Sequence, residues 1–517
     1  DCIVQPYIPQ ESATKADSQI FNDPYLKDQW SYINTGDRGI CESVYAGADI
    51  NVRDVWSSLT TGDRDIIVAV VDEGVCYTHP DLAANIWVNE AEKNGLPDVD
   101  DDNNGYIEDS YGGNVAENGN VSWGKEGDTG HGTHCSGSIA AVNNNGVGVS
   151  GVAGGSGQKD GVRIMSCQVF SGKAGGKTAI TSRAITYAAD NGASVISCSW
   201  GYNAGVFMSD TEYRNGNGKA NEMEYGAIKY FEASVNNCVL DGNVAVFSAG
   251  NDAKNFSNYP GALSDIISVS SFGPDYLPAY YTNYGPGCNI VAPGGDYYLK
   301  PYNNKSAILS TLPEANSNNT GYGYMQGTSM ACPHVSGVVA LALSYAKKLG
   351  KTFGREEFKQ MVVTSANDFD TRLMGTKKGP TSEINLVDYQ KQMGTGSIDA
   401  WKLMMKIEGI PSQIVSTGSN QGIDISPYFG TSSTNLTYLG IEVLGDGAEA
   451  LGLAQEPYIK YGRLYIHPTK PGACRIKINA IGGGTTTGGE STIGGMECSQ
   501  TVSIIARPFS NKEGGWL

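Results

Sequence analysis

Between about residues 65 and 364, the chain alternates short apolar runs with stretches of helical periodicity. The apolar runs are continuous, which is typical of strands buried on both faces of a parallel sheet. The predicted strands cover residues 66–72, 163–169, 193–199, 244–249 and 266–269. The predicted helices cover residues 131–142, 179–190, 223–233, 329–349 and 355–364. This order predicts an α/β domain whose parallel sheet is covered by helices on both faces.

A different pattern begins at about residue 410. Short alternating runs separated by turn residues predict strands at 422–425, 436–443, 458–466, 474–481 and 501–505. Such a series is typical of a small antiparallel β-sandwich. The patterns together predict three parts, which are an N-terminal arm at 1–51, an α/β domain at 52–409 and a β-sandwich domain at 410–517.

Charge and apolar content exclude several classes of partner. The 517 residues carry a formal net charge of −18, with a pI of about 4.7, so nucleic acid and anionic membranes are poor partners. No apolar run approaches the roughly 20 residues that a spanning helix needs, and we expect no transmembrane segment. The 11 cysteines are an odd number, so at least one thiol forms no bond within the chain.

Four short segments carry candidate chemistry. Ser329 lies in Gly-Thr-Ser-Met-Ala-Cys-Pro-His, at the start of a predicted buried helix whose N-terminus stabilises negative charge. A serine so placed needs a base, and His131 in Gly-His-Gly-Thr-His-Cys-Ser-Gly offers one. Asp72 ends an apolar strand and can orient the imidazole, while Asn251 follows another strand and offers an amide donor.

Along the chain the aspartate comes first, then the histidine and then the serine. In this order the four segments resemble those of the subtilisin-like serine proteases, over about residues 29–409. The resemblance implies a subtilisin-like sheet and a serine endopeptidase that hydrolyses peptide bonds in proteins through an acyl-enzyme. Ser329 would be the nucleophile, His131 the general base and acid, and Asp72 the orienting carboxylate. Asn251 and the Ser329 N–H would hold the oxyanion.

Each of these residues also has a simpler interpretation. Ser329 could be a helix-capping serine, Asn251 a turn residue and Asp72 a solvated strand end. His131 could bind a metal together with His134, three residues later on the same predicted helix.

The resemblance extends to substrate binding. It implies that a protein or peptide substrate binds in an extended conformation, paired with one strand end and walled by a second. The residues are Ser199, Trp200 and Gly201, with Trp200 walling the primary pocket, and then Ala249, Gly250 and Asp252. Asp252 either places negative charge near the pocket base, which favours Lys or Arg, or is a solvated turn acid.

An acidic segment predicts a structural calcium site. Residues 98–109 read Asp-Val-Asp-Asp-Asp-Asn-Asn-Gly-Tyr-Ile-Glu-Asp, and from Asp100 the spacing matches the start of a calcium loop, with Gly105 at its sharp turn. Position twelve is Tyr111 rather than an acid, and Asp109 or Glu108 could substitute. The predicted ligands are Asp98, Asp100, Asp102, Asn104, Tyr106 and Asp109. The alternative is a solvated acidic loop.

The resemblance has further consequences for the whole protein. An enzyme of this kind is normally exported, so we expect an extracytoplasmic monomer whose leader is absent from this chain. The N-terminal arm is expected to pack on the catalytic domain. Thr-Lys-Pro-Gly-Ala at 469–473 resembles bacterial immunoglobulin-like modules. Two other classes stay open, a catalytically silent adhesion or glycan-binding relative and a processing enzyme with one dedicated substrate.

Glu73 is the main departure from the family pattern, because relatives usually follow the catalytic aspartate with Ser or Thr. Successive strand residues point to opposite faces, so Glu73 either faces away from Asp72 or lies close to the triad.

Overall fold

The computed structural model describes residues 5–6, 20–420, 422–429, 436–482, 485–487, 490–493 and 496–508. The chain divides into two compact units, Asp1–Ile50 with Thr60–Ile398, and Asn51–Leu59 with Asp399–Leu517. The division therefore falls at Asp399 rather than at the predicted residue 410. The reason is that two helices that precede residue 410, Arg53–Ser58 and Ala400–Glu408, pack within the second unit. There the Trp401 indole N–H donates to Ser503 Oγ at 2.7 Å, and Asp54 Oδ2 accepts from Ala473 N at 2.6 Å.

The first unit is built on a ten-stranded sheet. In spatial order its strands are β12 (Ala366–Asn367), β15 (Ser397–Ile398), β9 (Ile290–Pro293), β8 (Ile267–Phe272), β7 (Val244–Ser248), β6 (Val195–Cys198), β2 (Ile67–Glu73), β4 (Arg163–Ser171) and β3 (Gly112–Asn114), with β5 (Ala174–Gly175) paired to β4. From β15 to β3 every neighbouring pair is parallel. The predicted parallel sheet is confirmed.

Helices cover both faces of this sheet, as predicted. They are α2 (Glu90–Asn94), α3 (His131–Ala140), α4 (Thr178–Asp190), α5 (Asp210–Asn215), α6 (Ala220–Ala233), α7 (Thr328–Lys348) and α8 (Arg355–Val363). Alternate residues of β6 show the two faces. Ile196 and Cys198 share a core with α4 and α6, whereas the Ser197 hydroxyl accepts a hydrogen bond from Ser336 on α7 at 2.9 Å.

The predicted arm lies within the first unit over the part that the structure describes, residues 5–6 and 20–50, while residues 1–4 and 7–19 fall outside it. Trp30 and Tyr32 are buried, and their side chains donate to Ala307 O and Ser138 O, both at 2.9 Å. Two small antiparallel sheets complete this unit, β1 (Gln5–Pro6), β11 (Tyr322–Met325) and β10 (Ile308–Thr311), and β13 (Thr376–Lys378) with β14 (Glu383–Asn385).

Over its described residues, the second unit contains three α-helices and mainly antiparallel sheets. The helices are α1 (Arg53–Ser58), α9 (Ala400–Glu408) and α10 (Gly447–Ala450). The sheets are β16 (Ser412–Ser416), β24 (Met496–Arg507), β21 (Gly472–Gly482) and β18 (Leu436–Val443), then β17 (Ile423–Asp424), β20 (Arg463–Tyr465) and β19 (Tyr458–Lys460), and a hairpin of β22 (Thr485–Thr487) and β23 (Glu490–Ile493). The pairing is not wholly antiparallel as predicted, because β16 runs parallel to β24. Leu464 and Ile476, from different sheets, share one core.

Two whole-chain expectations can be compared with this fold. Among the described residues, one helix, α7, is long and apolar enough to cross a membrane, and its residues 328–346 are buried inside the first unit. The ten cysteines that the structure describes are all unpaired, and Cys2 lies outside the described residues.

Candidate active site

Asp72 and His131 meet at the carboxyl end of β2. Asp72 is the penultimate residue of that strand and only 1% exposed. His131 is the first residue of α3, placed there by Gly130, which has a left-handed φ of 81°. The His131 Nδ1–H donates to Asp72 Oδ1 at 2.7 Å, and the Glu73 N–H donates to the same oxygen at 2.7 Å. Asp72 is therefore not a solvated strand end.

The surroundings of His131 favour its protonated form. Burial alone lowers the pKa of an imidazole, but the charge of Asp72 and the thiol of Cys135 outweigh it, and the pKa of His131 is raised well above its usual value. Within the described part of the chain, Asp72 Oδ2 is buried and has no hydrogen-bond partner. The hydrogen bonds from His131 and from Glu73 N therefore both fall on Oδ1 of this carboxylate.

Ser329 begins the buried helix α7 and faces the end of β6. It is the second residue of the helix and 8% exposed. Its hydroxyl donates to Ser199 O at 3.2 Å, and Ser199 Oγ donates to Ser329 O at 2.9 Å. Among the contacts of the described residues, none joins Ser329 Oγ to His131. In this conformation the hydroxyl is turned toward the strand.

Cys135 lies between the histidine and the serine. Its Sγ is 3.9 Å from His131 Nδ1 and 3.5 Å from Ser329 O. The thiol is 1% exposed, and burial raises its pKa. Cys135, one helical turn after His131, therefore contacts both the proposed base and the residue that carries the proposed nucleophile.

Asn251 is fixed beside Ser329 by its own oxygen. Asn251 Oδ1 accepts from Thr328 N and Thr328 Oγ1, both at 2.9 Å, which turns the amide nitrogen the other way. A Cβ built on Gly327 would lie 3.5 Å from Asn251 Nδ2 and 3.5 Å from Ser329 N. The two predicted oxyanion donors thus border one small space that the missing side chain of Gly327 leaves open.

The predicted substrate-binding residues Ser199, Trp200 and Gly201 directly follow β6. The Trp200 indole N–H donates to Val71 O at 2.8 Å, and its ring meets Phe247 edge-on at 5.5 Å. The indole thus packs on the sheet core, and a role as pocket wall stays a prediction. Gly201 needs to be small, since a Cβ there would lie 2.5 Å from Asn258 Nδ2.

The second predicted wall follows β7. Ala249 is buried, and Gly250 has a φ of 103°, in the region that favours glycine. Asp252 is exposed, and its Oδ2 accepts from Ala204 N at 3.1 Å and from Asn283 Nδ2 at 3.3 Å. These bonds favour the turn-acid interpretation of Asp252 over a pocket charge.

The contacts of His134 do not fit the alternative in which it binds a metal together with His131. His134 is fully buried, and its Nε2 lies 3.0 Å from Ile308 O and 3.2 Å from Gly323 O, so its ring is held between β10 and β11. Burial lowers the pKa of His134 to about 3, so the ring stays neutral. The two histidines do not share a site.

The acidic segment brings together only part of its predicted ligand set. Carboxylate oxygens of Asp102 and Asp109 lie within 4.8 Å of each other and of Glu92, which the motif spacing did not indicate. Asn104 Nδ2 bridges Asp102 Oδ2 at 3.0 Å and Asp109 Oδ2 at 2.8 Å. Glu92 lies on α2, outside the motif, and only 7% of it is exposed. Its burial beside the two aspartates could be found only from the structure.

The remaining predicted ligands have other contacts. The two oxygens of Asp100 accept from Asn104 N at 3.0 Å and from Gly105 N at 2.9 Å, which closes the loop turn. Asp98 is exposed, and the Tyr106 ring packs edge-on against Tyr187 at 5.0 Å. The candidate cluster is therefore Glu92, Asp102 and Asp109, rather than the full series of alternating residues. Asn104 presents its amide nitrogen to the two aspartates, and its Oδ1 accepts from Tyr106 N at 2.8 Å.

The charge balance of this cluster suits a hard cation. Burial raises the pKa of Asp109, and the charge of Asp102 raises it further. Burial likewise raises the pKa of Glu92, with added repulsion from Asp109 and Asp102. A cation with oxygen ligands would relieve both effects, and calcium prefers such ligands.

The arrangement of aspartate, histidine, serine and asparagine can be compared with known families. The model of the subtilase family, Peptidase_S8, matches residues 63–390, which is more than half of the chain. The chain belongs to the subtilase family. Thermitase from Thermoactinomyces vulgaris is 31% identical over 280 residues, covering 54% of this chain and 75% of thermitase.

Other relatives extend the similarity. An extracellular protease of Xanthomonas campestris is 32% identical over 338 residues, covering 63% of this chain and 50% of the relative. A solved protease from Pseudoalteromonas arctica has a TM-score of 0.51 at 28% identity and covers 75% of this chain and 100% of that one. For Subtilisin-like protease 1 of Plasmodium berghei, the match covers 42% of the relative. Apart from thermitase, this subtilase chain spans about half or less of the curated relatives named here.

Proposed function

We propose that this subtilase is a serine endopeptidase that hydrolyses peptide bonds in proteins. The observation that carries the proposal is the 2.7 Å bond between Asp72 and His131, beside the helix N-terminus that presents Ser329. All three stand where the carboxyl ends of parallel strands meet, the edge at which open α/β sheets bind ligands.

The proposed reaction begins when Ser329 Oγ turns from Ser199 O toward His131. The oxygen attacks the peptide carbonyl carbon, and its proton passes to His131 Nε2 while Asp72 stabilises the imidazolium. His131 then gives this proton to the leaving amine, and an acyl-enzyme remains on Ser329. Water, deprotonated by His131, attacks the ester, and the proton returns to Ser329 as the acid product leaves.

The negative oxygen formed in each attack would occupy the space beside Gly327. Asn251 Nδ2 and the Ser329 N–H border that space, and both are oriented before substrate arrives. Donors held in place in this way stabilise developing charge without reorganising during the reaction.

The substrate is proposed to bind in an extended conformation along the ends of β6 and β7. Backbone pairing at Ser199 and Gly201 would hold the chain, with Ala249 and Gly250 on the other side and Trp200 beside them. Such pairing depends little on side chains and supports broad specificity. The bonded Asp252 carboxylate argues against a strong preference for Lys or Arg.

A fluorophosphonate probe tests the proposal. The probe should label one residue, and peptide mass spectrometry should place the adduct on Ser329. The His131→Ala variant should label at least about a hundredfold more slowly, because the serine then lacks its base. A folded chain that resists the probe would contradict the proposal and favour the silent adhesion or glycan-binding alternative.

A mixed peptide library separates a general protease from a dedicated processing enzyme. Cleavage at many unrelated sites is the expected result, since the proposed groove binds the substrate mainly through its backbone. Cleavage confined to one sequence would identify a processing enzyme with a dedicated substrate.

We propose calcium as a structural cofactor held by the carboxylates of Glu92, Asp102 and Asp109. The mutually repelling carboxylates support this assignment; Glu92 and Asp109 are buried and Asp102 is exposed. Asn89 Nδ2 also donates to Asp102 Oδ2 at 2.8 Å and to Asp109 Oδ1 at 3.0 Å. Because every candidate ligand is an oxygen, zinc is disfavoured. The ion would link α2 to the loop at 100–109.

We further propose that the protein works outside the cytoplasm as a monomer. The Xanthomonas relative is named an extracellular protease, which supports this location. For the second unit we propose an immunoglobulin-like module that acts as a spacer or stabilising domain, supported by its shared core between two sheets.

A further inference from the structure

The side chain of Glu73 points at the start of the helix that carries His131. Glu73 Oε2 accepts from Thr129 N and from His131 N, both at 3.0 Å. Glu73 Oε1 accepts from Thr129 Oγ1 at 3.0 Å. The carboxylate therefore bonds the main chain on both sides of Gly130. Of the two orientations open from the sequence, the structure has the one close to the triad.

The chain at this point has little freedom to find another arrangement. Gly130 has a left-handed φ of 81°, and a Cβ there would lie 2.7 Å from Pro313 Cδ. A Cβ on Gly132 would lie 2.2 Å from Glu73 O, so the end of β2 and the first turn of α3 are in direct contact. Asp72 holds the side chain of His131, and Glu73 holds its main chain.

We propose that Glu73 is a positioning residue for His131, which fixes the entry to α3 through its hydrogen bonds and acts on the imidazole through its charge. This inference rests on the proposed peptidase function and adds to it. The N–H groups at a helix start commonly donate such bonds to a Ser, Thr or Asp at the N-cap, whereas here the acceptor comes from the strand that carries the orienting aspartate. The two consecutive residues Asp72 and Glu73 thus hold the imidazole ring and the backbone of His131 in place.

The charge effect depends on everything that titrates near His131. Asp72 and Glu73 face it from β2, and Cys135 and His134 lie on its own helix, while α7 presents the hydroxyl of Ser329. Burial raises the pKa of the Cys135 thiol and lowers that of His134, so both stay neutral near pH 7. Burial and the charge of Asp72 raise the pKa of Glu73, and the charge of His131 lowers it, so the two side chains interact electrostatically. Ionised Glu73 is the second negative group that favours the imidazolium.

Two substitutions separate the bonds from the charge. Glu73→Ala removes both, and because small displacements of a catalytic group are costly, kcat should fall about tenfold to a hundredfold with KM within about twofold. Glu73→Gln keeps an oxygen that can accept from Thr129 N and His131 N but loses the charge. Its kcat at the pH optimum should stay within about threefold of the parent.

The pH profile supplies the second readout. Removing a negative charge lowers the pKa of His131, so the neutral base persists to lower pH and the acid limb of kcat/KM should move to lower pH in Glu73→Gln. Glu224→Gln is the matched control. It removes a buried carboxylate on α6 that bonds Tyr213 and Thr181, and it should leave the acid limb in place.

Amide hydrogen exchange tests the positioning without relying on activity. In Glu73→Ala, peptides containing Thr129 and His131 should exchange at least about tenfold faster than in the parent, while exchange in α6 is unchanged.

Parental kcat with parental exchange in Glu73→Ala would overturn the positioning role, and an unmoved acid limb in Glu73→Gln would overturn the charge effect. Failure of the proposed function appears separately, as a parent that resists the fluorophosphonate probe, and the exchange result still decides the inference. If Glu73→Ala does not fold, exchange and pH profile in Glu73→Gln decide it, since intact exchange with a shifted limb is the expected pair.

Discussion

Replacing Asn251 by Ala tests the geometry of the proposed oxyanion hole. The substitution removes one of the two donors that border the space beside Gly327 and leaves the Ser329 N–H. It also removes the acceptor for Thr328 N, but Asn251 is exposed, so water can replace that bond. The loss should therefore appear in the transition state far more than in folding.

The magnitude follows from counting donors. Loss of one such donor lowers kcat by about 10² to 10³, which corresponds to about 2.7–4 kcal/mol, a range known from subtilisin and so borrowed from a member of this family. Loss of the bond to Thr328 should lower the free energy of unfolding by only about 1 kcal/mol, as for other exposed caps. KM should change little, because the ground-state carbonyl carries no full charge.

The assay is steady-state hydrolysis of one fluorogenic peptide, with unfolding followed in parallel. Asn255→Ala is the control, because Asn255 is an exposed asparagine in the same loop, four residues further on. A kcat for Asn251→Ala within about threefold of the parent would refute the assignment, since a donor in contact with the oxyanion cannot be worth so little.

Three further predictions rest on other parts of the site. Gly327→Ala should lower kcat by at least about a hundredfold, because its Cβ would occupy the space between the two donors and strain a φ of 150°; a variant as active as the parent in the peptide assay would place the oxyanion elsewhere. Chelation of calcium should lower the melting temperature, by the equivalent of about 2.7 kcal/mol relative to calcium at a hundred times its Kd, and Asp102→Asn should reduce this difference; a melting curve unchanged by chelator would contradict the site. An organomercurial should inhibit slowly by displacing His131 if it reaches buried Cys135, whereas exposed Cys238 should react first without inhibition. Inhibition that persists in Cys135→Val would assign the effect to another thiol.

The sequence predicted the first unit better than the second for a physical reason. Continuous apolar strands such as residues 244–249 leave little choice of partner or face, and β7 and α7 lie within a residue of their predicted bounds. Short alternating strands leave pairing to the tertiary fold. Residues 458–466 divide into two strands of one hairpin, and β16 pairs in parallel with β24. Helix α9 shows the same limit, because its sequence does not indicate which unit buries Trp401.

The candidate site shows a similar contrast. Asp72, His131, Ser329 and Asn251 stand in motifs that fix their local backbone, so the contact of Asp72 with His131 and the position of Asn251 beside Ser329 could be predicted. Contacts between distant segments could not, and Glu92 in the acidic cluster is the example, since it lies on α2. The direction of the Glu73 side chain was equally open, because strand alternation fixes the face of a residue within a regular strand and not at its end.

The proposed nucleophile is tested most directly by measuring kcat/KM for clean Ser329→Ala protein beside the parent. The hydroxyl contributes one bond, to Ser199 O, so the variant should keep the parental melting curve. Hydrolysis should be almost abolished, with losses of about 10⁶-fold known from subtilisin, a member of the same family. Residual activity above about one per cent of the parent would contradict the assignment of Ser329 as the nucleophile.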